Sequence, residues 1–252
     1  MSETGYEIFS CYYDALTENV NFSKRAAYFD VLIQKYLCTS GSVLLDLACG
    51  TGTMAEQMAQ KGYDVIGVDY SSSMLGQAME KKLKSGLSIQ YVQQDMQKLD
   101  LYGTVDITIC TLDSLNHLPD FESVQRVFQK VADATECGGV FLFDMNTLYK
   151  HRVSLNTQIY VYETDDVYCV WENALQSDQC TVEIDLELFQ KCSDGRYRRQ
   201  TEHITERAYP TEEIREALCK VGFSVIGIYH ADTEEPLKAD SERMVLVARK
   251  EK

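Results

Sequence analysis

Residues 43–52 read VLLDLACGTG, and this stretch decides the fold. Val43, Leu44 and Leu45 form a short apolar run, as expected of a strand buried on both faces of a parallel sheet. Asp46 interrupts the run near its end, where a carboxylate is costly unless something pairs with it. Gly50 and Gly52 let the backbone turn tightly and approach a ligand closely. Helix-forming residues follow at 53–61 (TMAEQMAQK). Strand, acidic residue, glycine turn and helix together make the layout of a nucleotide-type cofactor site at the carboxyl end of a strand.

Outward from this core, strands and helices alternate. Residues 63–69 (YDVIGVD), 88–93, 105–111 (VDITICT) and 140–144 read as strands two to five, with Gly138-Gly139 turning the chain into the fifth. Helices are expected at 71–84, with a serine run as N-cap, and at 120–135, with Val124, Val127, Phe128 and Val131 along one face. The alternation predicts an α/β fold with a doubly wound, mostly parallel, seven-stranded Rossmann-like sheet. Upstream, residues 5–37 show helical apolar spacing in two segments. One carries Tyr6, Ile8, Phe9, Tyr12, Tyr13 and Leu16; the other starts near Ser23 and carries Ala26, Ala27, Phe29, Leu32, Ile33 and Tyr36.

After strand five the pattern changes. Val182, Ile184, Leu186 and Leu188 alternate with Glu183, Asp185 and Glu187, the signature of a strand with one wet face. Ser193-Asp194-Gly195 is a hairpin signal, and the runs IYVYE, VYCVWENAL and YRRQTEHITERAY also read as strands. An antiparallel meander is therefore inserted at this point. A helix opening at Pro210 and ending at Gly222, then strands at 223–230 and 243–249, close the sheet. The expected organisation is a Rossmann-like domain over 1–150 and 210–252, with N-terminal lid helices, and an inserted meander over 151–209 that covers an acceptor site.

Composition narrows the function. The chain has 252 residues, enough for one large α/β domain with an insertion. Its net charge of −15 disfavours a nucleic-acid partner, which needs a basic face; the short cluster RYRR at 196–199 reads as the solvated face of a strand. No apolar run is long enough to span a bilayer, and residues 1–16 lack the basic and apolar regions of a signal peptide. Nine cysteines without a CxxC pair give neither metal-site nor disulfide spacing, and scattered thiols suit a cytoplasmic location. The sequence leaves a homodimer open.

Two cofactor classes use such a glycine turn. Gly50, Gly52 and Ala55 satisfy a loose dinucleotide pattern, but Asp46 would repel a pyrophosphate. The same carboxylate suits the cationic amino group of S-adenosylmethionine, directly or through water. DLACGTG resembles motif I of the class I S-adenosylmethionine-dependent methyltransferases, and the other motifs follow in order: VIGVDYSSSML, QQDMQKL, ICTLDSLNHL and GGVFLFDMN. The similarity covers residues 40–146. It implies a cofactor set of Asp46, Ala48, Cys49, Gly50 and Gly52 in the loop, Asp69 on the ribose hydroxyls, Tyr70 and Met74 against adenine, Asp95 and the Met96 backbone on the adenine edge, and Thr111 beside the transfer site. The product would be S-adenosyl-L-homocysteine.

Within that family, the YYD triplet at 12–14, the QDM triplet and the late meander resemble small bacterial enzymes related to sugar-amine and glycine/sarcosine-type N-methyltransferases. That resemblance implies Tyr13 near the methionine end of the cofactor and Arg243 facing the acceptor cavity. Methyl transfer needs alignment, desolvation and sometimes a base; His117 and His203 are the candidates. No Asn/Asp-Pro-Pro-aromatic segment follows strand four, no Pro-Cys pair exists and no zinc cluster is present, so base-modifying and thiol-modifying routes are disfavoured. The leading expectation is transfer to a small molecule, preferentially at an amine nitrogen. An RNA or protein methyltransferase and a non-enzymatic cofactor-binding module stay open, and a dehydrogenase more remotely.

Overall fold

Val43–Leu47 forms β1, in the interior of a seven-stranded sheet in the computed structural model, which describes residues 13, 14, 17 and 19–251. Successive side chains of β1 point to opposite faces, so Leu44 enters one apolar layer and Leu45 the other. Helix α1 (Phe22–Tyr36) and α2 (Thr53–Gln60) cover the first face; Phe29, Leu32, Ile33, Met54 and Met58 are fully or nearly fully buried there. β2 (Asp64–Asp69), α3 (Ser72–Ser85), β3 (Ile89–Gln93) and β4 (Val105–Cys110) follow. Helix α4 (Phe121–Ala134) covers the opposite face with Val124, Val127, Phe128 and Val131, the four positions its periodicity selected. The N-caps follow the sequence: Ser71 Oγ accepts from Met74 N at 3.3 Å and Asp120 Oδ1 from Ser123 N at 2.7 Å.

β5 (Thr135–Asn146) is longer than expected at both ends. It begins directly after α4, and its register against β4 jumps from Val105↔Thr135 to Ile107↔Val140. Gly139 makes this jump feasible: a Cβ there would sit 2.7 Å from the Asp106 carbonyl oxygen. The glycine pair thus shapes an irregularity within the strand rather than a turn before it.

β6 (Ile159–Glu163), β7 (Val167–Leu175), β8 (Thr181–Lys191) and β9 (Tyr197–Arg207) form a separate four-stranded antiparallel sheet in chain order. Its apolar face, with Val182, Ile184, Leu186 and Leu188 buried, packs with Met74, Leu155 and Tyr13. Helix α5 (Thr211–Lys220), β10 (Phe223–His230) and β11 (Arg243–Lys250) complete the main sheet. The order is β10-β11-β5-β4-β1-β2-β3, with β11 antiparallel to both of its neighbours and the other pairs parallel. Strand order reverses between β1 and β4, so a crevice opens at their carboxyl ends. The first expected N-terminal helix lies outside the described residues, except that Tyr13 and Asp14 are helical.

Candidate active site

The glycine loop leaves β1 through alternating left-handed residues: Ala48 at φ 59°, Gly50 at 54° and Gly52 at 75°. Cys49 N donates to Val68 O at 3.0 Å, which pins the loop to β2. Asp69, at the end of β2, accepts from Gly50 N at 2.8 Å on one oxygen and from Ser71 N at 2.8 Å on the other. These two bonds hold the carboxylate rigidly at the crevice, and burial still raises its pKa. They also occupy the loop amide that a pyrophosphate would need. Beyond β3, Asp95 caps a short turn by accepting from Gln97 N at 2.9 Å.

One cavity of about 810 Å³ runs from this loop to the far end of the crevice. Ala48, Gly50, Asp69, Tyr70, Met74, Asp95 and Met96 line its first part, with Tyr13 and Leu155 over it. Cys49 and Thr111 line a small adjoining hollow that Tyr13, Ala48 and Gly50 share.

Asp46 and Gly52 line neither space. The Asp46 carboxyl is 1% exposed and neither oxygen completes a hydrogen bond. Burial pushes its pKa up to about 8, the charge of Asp69 adds to this, and the Ala55 N–H acts against it. Asp46 is therefore buried behind the residues that line the cavity. Gly52 is needed for close packing: a Cβ would meet Tyr91 Oη at 2.3 Å and Ala78 Cβ at 2.9 Å.

The far end is a network assembled from distant segments. Asp144, fully buried at the end of β5, accepts from Arg25 Nη1 at 2.9 Å, from Leu112 N at 2.7 Å and from Asp113 N at 3.2 Å, and pairs with Arg243. The two amide bonds hold Leu112 and Asp113 at φ 58° and 52°, a conformation that costs a bulky residue on the order of 1 kcal/mol or more. Arg243 Nη1 also reaches Asp113 Oδ1 at 2.8 Å. Asn146 Nδ2 donates to Asp113 Oδ2 at 2.6 Å and to Glu206 Oε2 at 2.8 Å, while its Oδ1 accepts from Lys150 Nζ at 2.9 Å. Asn116 closes the set: its Oδ1 accepts from Asn146 N and its Nδ2 donates to Arg207 O.

The charges here are strongly interdependent. Burial would raise the Asp113 pKa, but Arg243, Lys150 and His117 hold it well below the usual carboxylate range. Burial and Asp113 push Glu206 up, while His151, His117 and Lys150 pull it lower overall. Burial and Arg243 lower the Lys150 pKa. Asp113, His117 and Glu206 bring ligand-type atoms within 4.8 Å of one another. The Asn146 amide N–H₂ already sits between the two carboxylates, and Arg243 and Lys150 supply positive charge, so the cluster carries its own counter-charges.

Residues 44–139 match the family profile described as "Methyltransferase domain". YqeM of Bacillus subtilis (strain 168), a protein named for methyltransferase activity, is 30% identical over 98% of this chain and 98% of its own length. The chain belongs to the class I S-adenosylmethionine-dependent methyltransferases. A crystal structure of an S-adenosylmethionine-dependent methyltransferase from Clostridium acetobutylicum ATCC 824 is 27% identical, with a TM-score of 0.86 over 96% of this chain and 97% of that one. The sugar N-methyltransferase KedS8 from Streptoalloteichus sp ATCC 53650, at 20% identity, shares the fold with a TM-score of 0.78 over 95% of this chain and 93% of its own.

The first part of the cavity of this methyltransferase fits its cofactor. Asp69 and Asp95 present carboxylates, Gly50 leaves open space where a Cβ would point, and the loop amide is already taken by Asp69. The site suits a cationic, phosphate-free ligand. Of the residues singled out by sequence, Tyr13, His117 and Arg243 line the cavity with Ala48, Gly50, Asp69, Tyr70, Met74, Asp95 and Met96. His203 is at its rim, more than half exposed and paired with Asp185 at 2.6 Å. Trp171 lines the cavity and donates to Asn173 Oδ1 at 2.9 Å. Asp14, the third residue of YYD, accepts from Thr51 Oγ1 at 2.7 Å and pairs with Lys81 at 2.6 Å, anchoring the N-terminal segment on the glycine loop. Sequence reasoning missed Arg25, Asp144, Asn146, Lys150, His151 and Glu206.

Proposed function

We propose that this methyltransferase acts on a small-molecule acceptor at an amine nitrogen. The observation that carries the reading is one continuous cavity: its first part is lined by Ala48, Gly50, Asp69, Tyr70, Met74, Asp95 and Met96, its far end by Asp113, His117, Lys150, Glu206 and Arg243, and Tyr162, Trp171, Ile184 and Ile204 of the meander roof it. A volume of about 810 Å³ matches a cofactor and a small acceptor side by side. The fold shared with KedS8, a sugar N-methyltransferase, supports an amine acceptor under a roof of this kind. The same reading divides the chain into a cofactor domain, 1–150 and 210–252, and a covering meander, 151–209.

In this reading Asp69 binds the ribose hydroxyls, Asp95 and the Met96 backbone the adenine edge, and Tyr70 and Met74 the adenine faces. Tyr13, Ala48, Cys49, Gly50 and Thr111 surround the methionine end, while Asp46 and Gly52 shape the loop from behind. The bound cofactor supplies a methyl carbon on a positively charged sulfur. The protein aligns the acceptor, excludes water and manages the acceptor's proton. A methyl-transfer screen over small amines, hydroxylated aromatics and total RNA, read as S-adenosylhomocysteine release with product mass, tests this. N-methylated small amines are expected; methylation confined to RNA or to hydroxyls would overturn it.

A further inference from the structure

The π-helical turn at Lys150–Leu155 buries His151 completely, behind the acceptor end of the cavity. Its Nδ1 lies 2.8 Å from the Cys180 carbonyl oxygen. A carbonyl only accepts, so Nδ1 carries the hydrogen and the neutral ring presents a bare lone pair at Nε2. That Nε2 has no hydrogen-bond partner and faces Glu206 Oε2 at 3.6 Å. Glu206 is itself 4% exposed but lines the cavity, and its other oxygen lies 3.9 Å from His117 Nε2. A lone pair aimed at a carboxylate in a buried site is repulsive unless a proton comes between them. The fold therefore holds a place for one proton between His151 and Glu206.

We propose that Glu206 docks the ammonium form of the acceptor and takes its proton, and that His151 stores that proton as the positioning partner behind it. The inference rests on the small-amine reading above. An ammonium has no lone pair and cannot attack the methyl carbon. In the step, the acceptor N–H bond breaks, its electron pair stays on nitrogen, and an O–H bond forms on Glu206. Glu206 then gives the proton to Nε2 and returns to a carboxylate facing an imidazolium; no oxidant or reductant enters. The proton leaves to water when the product does.

Basicity explains why a pair is built here. A carboxylate alone is a weak sink for an amine proton, and an imidazole is the stronger base of the two side-chain types. Lys150 and Arg243, facing the same space, favour the neutral amine further. Asp113 faces Glu206 through Asn146 and opposes this in part, and His117 stands on the open side. Asn146 Nδ2 donates to Oε2 and keeps that oxygen opposite His151 Nε2.

The test uses the full-length enzyme with glucosamine, ethanolamine and glycine as probes of amino sugar, amino alcohol and amino acid acceptors, together with any amine found in the screen. Glu206→Gln is expected to lower the rate of methyl transfer near pH 7 by about 100-fold. His151→Asn, which keeps an N–H for Cys180 O and removes Nε2, should lower it by about 10-fold. Both losses should vanish near pH 10, where the amine is neutral in solution, and S-adenosylhomocysteine affinity should stay within about twofold. A loss independent of pH, or no loss, overturns the proposal while leaving the amine reading intact. Wild-type enzyme that methylates no amine overturns that reading and the proposal with it. If His151→Asn does not fold, ¹⁵N spectra of wild-type histidines at pH 8 decide: hydrogen on His151 Nδ1 is expected, and hydrogen on Nε2 would contradict the pair.

Discussion

The two ends of the cavity are built differently. The cofactor end is made of contiguous motifs: a glycine loop, and acidic residues at the ends of β2 and just past β3, each fixed by backbone amides within a few residues or one strand away. The acceptor end is made of side chains bonded to side chains across long stretches of sequence: Arg25 to Asp144, Asn146 to Glu206 and Arg243 to Asp113. Local backbone geometry makes the first end robust and generic. Long-range charge pairing makes the second end specific, and dependent on each of its members.

If that contrast holds, the largest single-residue effect on stability lies at the acceptor end. Asp144→Ala would leave Arg25 and Arg243 buried with only part of their partners and free Leu112 and Asp113 from their left-handed turn. Breaking such a buried cluster is expected to lower unfolding free energy by about 3–5 kcal/mol, read by chemical denaturation. A change below about 1 kcal/mol would mean that the network is not cooperative.

At the cofactor end, Asp46 gives a pH test. Its folded pKa of about 8 lies above the ordinary value. The folded chain therefore favours the protonated carboxyl; the associated stability is complete below the unfolded pKa and is lost as pH rises toward 8. Asp46→Asn stays neutral throughout. Its stability relative to wild type should increase by roughly 3 kcal/mol between pH 5 and pH 8, whatever the offset from its own unpaired amide. A difference that does not change with pH would mean that Asp46 is ionised in the folded chain.

Smaller effects mark the edges of the comparison. Asp95→Ala should weaken S-adenosylhomocysteine binding by about 10-fold, the worth of one or two hydrogen bonds. His203→Ala should change turnover by less than about twofold, because His203 is exposed and paired with Asp185 on a surface where ion pairs contribute little. A large loss on His203→Ala would move the acceptor chemistry from Glu206 to the rim.

This division also explains what could be read from the sequence. Strand periodicity, glycine turns and acidic strand ends are local signals, so the sheet, the meander and the places of Gly50, Asp69 and Asp95 at strand ends and turns were legible. Asp46 was legible as the acidic residue near the end of β1, but its complete burial there was not. Strand five was trimmed because its start depends on a register jump against β4 that no local pattern encodes. Glu206 sat in a run of alternating polar residues and looked like one more solvated position. Only the pairing of β9 against the rest of the molecule brings it to Asn146, 60 residues away in the chain. His151 carried no signal at all, since its meaning comes from the Cys180 carbonyl across the meander. Of the YYD triplet, Tyr13 lines the cavity, while the bonds of Asp14 to Thr51 and Lys81 depend on distant residues that no local pattern names.

Calorimetric titration of S-adenosylhomocysteine into the wild type, Asp69→Ala and Glu206→Gln most directly tests one cavity with two separately built ends. One-to-one binding by the wild type is expected, with a loss of at least about 100-fold for Asp69→Ala, from a charge-assisted pair of hydrogen bonds, and affinity within about twofold of wild type for Glu206→Gln. Unchanged affinity in Asp69→Ala, or a loss in Glu206→Gln as large as that in Asp69→Ala, would contradict that construction.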